Sequence, residues 1–107
     1  MNITQKTTFS LAHHNLNKQL CFNSSNGYNL FLNWVSSEFD LFLQEESNGL
    51  QVYFPDGCLT IKSANKNNNL MANIDLKYKF LEKGQNLIHK IEALYSLLPT
   101  AAKRENR

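Results

Sequence analysis

A chain of 107 residues has room for one domain, and folding at this size buries roughly 60 to 70% of the unfolded surface, enough for a core without staples. Its 42% hydrophobic and 19% charged residues exclude wholesale disorder, and no run approaches the ~18 apolar residues of a membrane span. A net charge of +2 gives no general affinity for nucleic acid, so such a role would rest on a local lysine cluster.

The N-terminus, MNITQKTTFSLAHHNL, has no basic start followed by an apolar run, so export by that route is not expected. Alternation predicts strands over 7–12 and 18–24, with His13 and His14 in a solvated turn between them. Cys21 and Cys58 form no CxxC pair and read as reduced thiols, which points to the cytoplasm. The stretch YNLFLNWVSSEFDLFLQ, residues 28–44, reads as a central hairpin of strands 28–35 and 38–46. Tyr28, Leu30, Leu32 and Trp34 share one face, continued by Phe39, Leu41 and Leu43 past Ser36-Ser37. Phe31, Val35 and Phe42 break that alternation.

Strands over 50–55, 58–63 and 70–80 follow, the last with Leu70, Ala72, Ile74, Leu76, Tyr78 and Phe80 on one side. Asn26-Gly27, Asn48-Gly49 and Asp56-Gly57 read as hairpin turns, because these pairs tolerate positive φ. A two-residue Asp56-Gly57 loop sets Phe54 opposite Leu59 and Val52 opposite Ile61. SANKNNN, residues 63–69, reads as a polar loop. QNLIHKIEALYSLLP places Leu87, Ile91, Leu94 and Leu98 at helical spacing, widened by Ile88 and Tyr95, and predicts a helix over 85–98. Gly84 or Asn86 begins it and Pro99 ends it. Residues 1–98 then form a single globular domain, and 99–107 a flexible basic tail.

The fold class expected is α+β, mainly β: a curled antiparallel meander of six to seven strands, closed on one face by a single C-terminal helix. In element order this resembles pleckstrin-homology-type domains. Their phosphoinositide sites use a basic cluster in the first hairpin, where this chain has HHNLNK with one lysine, so lipid binding is not implied. The order also resembles single-stranded nucleic-acid-binding proteins in which strands are followed by a helix that dimerises.

Registering the strands sets Phe31 opposite Phe42, with Cys21 on one flank and Tyr53 on the other. Asn29, Asn33, Asp40 and Gln44 stand around this row. Such an apolar strip on the second face serves packing within the chain, a homodimer, or a partner site. No catalytic set appears. His13, His14 and His89 lack further ligands at zinc spacing, neither thiol has an identifiable base, and Glu38 and Asp40 lie on an open sheet that raises no carboxylate pKa. All the glycines are used by turns and a helix start, leaving none for a phosphate loop.

The functional expectation is a non-catalytic protein-binding module, such as a small inhibitor, immunity-type protein or adaptor that covers a partner's surface. Its partner is another protein or a second copy, with no cofactor, metal or membrane. The alternative is a single-stranded nucleic-acid-binding protein in which Lys62, Lys66, Lys77, Lys79 and Lys83 neutralise phosphates while sheet aromatics stack bases.

Overall fold

A computed structural model describes residues 13–67 and 69–102. The strand expected over 7–12, and Lys103, Arg104 and Arg107 of the tail, lie outside the described residues. In chain order the elements are β1 (His14–Phe22), α1 (Ser25–Glu38), β2 (Leu43–Glu45), β3 (Leu50–Phe54), β4 (Gly57–Lys66), β5 (Asn69–Tyr78) and α2 (Leu81–Ser96). The strands form one five-stranded sheet in the order β1-β5-β4-β3-β2, antiparallel throughout. The α+β, mainly β class and the C-terminal helix are as expected. The strand count is not: five strands are present among the described residues rather than six or seven, and a helix stands where the central hairpin was read.

That helix, α1, follows from side chains that the alternation treated as exceptions. Tyr28, Phe31, Val35 and Phe39 recur at intervals of three and four, and all are buried. Ser24 caps the helix, its Oγ accepting a hydrogen bond from the Gly27 N–H at 3.3 Å, so Asn26-Gly27 occupies the first turn of α1 instead of a hairpin. An α1 at this place, between the first two strands, departs from the pleckstrin-homology order.

The strands correct the expected registers. β3 and β4 pair Val52 with Leu59 and Leu50 with Ile61, because the connecting loop is Pro55-Asp56 and not Asp56-Gly57. Proline suits the first central position of a tight turn, where its fixed φ is already right and no N–H is needed. The register therefore shifts by two residues, which preserves which face each side chain occupies. His14 opens β1 instead of lying in a turn. The polar stretch 63–69 belongs mostly to a β4–β5 hairpin that extends to Lys66↔Asn69. Asn48-Gly49 does turn β2 into β3, with φ of 60° and 129°.

One sheet face carries Leu20, Phe22, Leu50, Val52, Phe54, Leu59, Ile61, Ala72, Ile74, Leu76 and Tyr78, all buried with α1 and α2. The predicted stripe of α2 packs here: Ile91 and Leu98 are buried, while Leu87, Ile88, Leu94 and Tyr95 sit at the margin. The helix begins earlier than expected, so Gly84 lies inside it, where an added Cβ would stand 3.1 Å from Leu16 Cδ1. Two ion pairs pin α2: Lys18 to Glu92 at 2.8 Å from β1, and Lys90 to Glu38 at 3.2 Å from α1. The opposite sheet face, with Cys21, Met71, Asn73, Lys77, Cys58, Thr60, Lys62 and Tyr53, has no described helix packed on it.

Candidate docking groove

The aromatic core has two ends. At one, Phe22 meets Phe31 at 5.4 Å and Tyr95 at 5.4 Å, and the Tyr95 hydroxyl donates to the Cys21 carbonyl at 2.6 Å. This end is closed over by α2. At the other end Phe54 meets Phe39 at 5.3 Å, Phe42 at 4.8 Å and Tyr78 at 6.0 Å. Here the rings floor an open groove of about 350 Å³ lined also by Glu38, Lys83, Asn86, Leu87 and Lys90.

Each wall has a local cause. α1 ends as Phe39 turns inward, and Gln44 then ties the chain back: its Nε2 donates to the carbonyls of Ser36 at 2.9 Å and Phe39 at 2.7 Å, and its Oε1 accepts from the Ser36 hydroxyl at 2.6 Å. The strap between, Asp40 to Leu43, throws Leu41 outward at 92% exposure and Leu43 at 71%, with Phe42 at 36% folding over the groove. On the α2 side, β5 ends at Tyr78, and Phe80 and Leu81 are exposed where the helix starts. The amines of Lys79 and Lys83 stand 5.6 and 5.5 Å from the Phe80 ring centre, a cation–π arrangement at the start of α2, and Lys83 also lines the groove. Burial, and then the Asp56 carboxylate, push the Tyr78 phenol pKa above its ordinary value. The groove is thus apolar on its floor and cationic on its rim, with Glu38 engaged by Lys90.

The row expected from the sequence does not form. Phe31 is in the core at 0% exposure, on a helix, and is not a cross-strand partner of Phe42. Cys21 and Tyr53 lie on the uncovered sheet face, where the Tyr53 hydroxyl donates to Glu45 at 2.7 Å, a bond that chiefly accounts for its raised pKa. Asn29 and Asn33 face outward from α1 beside Glu46 and Gly49. Asp40 is exposed next to the groove, and Gln44 serves as the tie just described. Of the eight residues, Phe42 lines the groove and Asp40 adjoins it.

The lysine set is likewise divided. Lys62 and Lys77 lie on the uncovered face, Lys66 at the β4–β5 hairpin, Lys79 beside Phe80 just before α2, and Lys83 at the groove. Phe39, Phe54, Tyr78 and Leu87 were not singled out, because each reads simply as core and only the folded chain gathers them. The signal available was the unbroken exposed run Leu41-Phe42-Leu43. Among the described residues, no three His, Cys, Asp or Glu side chains come together, and no helix is long and apolar enough to cross a membrane. No known protein family matches this chain, and neither does any curated protein.

Proposed function

We propose that this chain is a non-catalytic protein-binding module, an inhibitor or adaptor in kind, that docks protein surface at the groove between the C-terminal end of α1 and the first half of α2. The observation that carries this reading is the exposed apolar strap at the groove: Phe42 lines it and Leu41 beside Phe42 stands in solvent, while Phe80 and Leu81 are exposed at the start of α2, the helix that supplies Lys83 and Leu87 to the same groove. Scattered exposed apolar groups are ordinary on a soluble protein, whereas contiguous ones rimmed by polar groups mark contact sites. The groove is open instead of enclosed and reaches the exposed strap at Phe42, which suits a protein segment better than a small molecule engulfed by its site. Amines at the rim add orientation and selectivity to the apolar floor.

The test compares proteins captured from a lysate by the tagged wild type, by Phe42→Ser, and by Lys62→Ala on the uncovered sheet face. Circular dichroism confirms folding. Phe42→Ser is expected to keep the fold and lose the captured partner, with Lys62→Ala retaining it. Equal capture by Phe42→Ser would sink the groove as the docking site.

A further inference from the structure

Resting on the reading of the groove as a protein-docking surface, we propose that its occupant is a second copy of this chain, bound about a twofold axis so that the strap of each copy fills the groove of the other. The strap carries what the groove lacks. Leu41, 92% exposed, is an apolar side chain with no pocket of its own, and the groove floor of Phe39, Phe54 and Leu87 is apolar and open. The charges agree. Asp40 and Lys83 form no ion pair among the described residues, and they belong to the strap and to the groove rim respectively.

Position settles the symmetry. Strap and groove adjoin on the same molecule, since Phe42 belongs to both, so one twofold operation seats both straps at once and closes the assembly at two. A groove and a strap on opposite sides would instead propagate chains head to tail. Leu41, Phe42, Phe80 and Leu81 together expose on the order of 400 Å² per copy, hence about 800 Å² in total, below the size of a standard specific interface and in the range of weak ones. Association in the micromolar range follows, not an obligate dimer.

Sedimentation velocity on the full chain between about 2 and 300 µM tests this. Wild type is expected to shift from monomer to dimer across that range, and Leu41→Asp, at a side chain already in solvent, to remain monomeric. Asp40→Lys alone faces Lys83 with a like charge, as Lys83→Glu alone faces Asp40, and each is expected to weaken the dimer at least ~10-fold. Mixed together, the two variants regain opposite charges at both cross-contacts, so the mixture should dimerise where neither does by itself. A lost fold would not give that rescue. Monomeric wild type at the highest concentration, a dimer indifferent to these changes, or a mixture that stays monomeric overturns the proposal. If wild type is monomeric while Phe42→Ser still loses a captured protein, the groove serves another chain and only the second-copy assignment falls.

Discussion

Tyr28 shows how one hydroxyl is carried into a core. Its ring packs edge-on against Phe22 at 5.8 Å, while its oxygen is buried without a well-formed hydrogen bond. Burial pushes its pKa up, and a weak contact with the Ser63 hydroxyl pulls the other way. The folded-state value thus lies above the unfolded value of about 10, and the folded chain keeps the proton longer. Stability from this difference is whole below pH ~10 and is lost as pH rises from there through the folded pKa. Tyr78, shifted in the same direction, adds to the loss. Tyr28→Phe should therefore flatten the decline of stability above pH ~10. At neutral pH it should be neutral or stabilising by up to about 1 kcal/mol, because it removes an unsatisfied buried group. Urea unfolding followed by Trp34 fluorescence measures both, and a loss of more than ~1 kcal/mol at pH 7 would mean that the hydroxyl is bonded after all.

Between elements, the C-terminal segment packs closely on the start of α1. Asn23 accepts no substitute lightly here: its backbone N–H donates to the Ala102 carbonyl at 3.2 Å and its side-chain amide to the Ala101 carbonyl at 3.1 Å. A Cβ on Gly27 would meet the Ala102 oxygen at 2.3 Å. Helix propensity alone favours Ala over Gly by roughly 0.5–1 kcal/mol. Gly27→Ala should nevertheless lower stability by about 1–2 kcal/mol in the full chain, and raise it by up to ~1 kcal/mol once residues 99–107 are removed. Thermal unfolding of the four combinations reads this sign change, and the same sign in both backgrounds would refute the clash. The elements also show how far the sequence could be read. α2 was legible because one period fits it. Over residues 28–39 two periods fit: Tyr28, Leu30, Leu32 and Trp34 alternate, while Tyr28, Phe31, Val35 and Phe39 follow a helix, so the breakers of one pattern are the buried face of the other. The N-cap at Ser24 could have decided between them. Sheet faces were legible and register was not, since Pro55 moves the β3–β4 turn by one position and the pairing by two. At the candidate site, Phe42 was found through a pairing that does not exist, and its neighbours come from β3, β5 and α2, which no local pattern joins.

Across the whole molecule, the groove draws its lining from the end of α1, the strap, β3, β5 and α2, which makes it a consequence of packing as much as of any single residue. The same sheet has a kinetic side. β3, β4 and β5 are joined by short hairpins, whereas β1 pairs with β5 from His14↔Tyr78 to Phe22↔Leu70 across most of the chain. Local pairings close early because they cost little loop entropy, and distant ones wait for them. Ile61→Val in β4 should thus mainly slow folding, and Leu20→Ala in β1 mainly speed unfolding, as read from the two arms of a denaturant chevron. Equal slowing of folding by both would contradict this order. During synthesis the consequence is a delay: β1 and α1 leave the ribosome first, yet β1 has nothing to pair with until Tyr78 has followed. Through that interval Phe22 and Phe31, the most deeply buried rings among the described residues, are the ones the growing chain must carry uncovered.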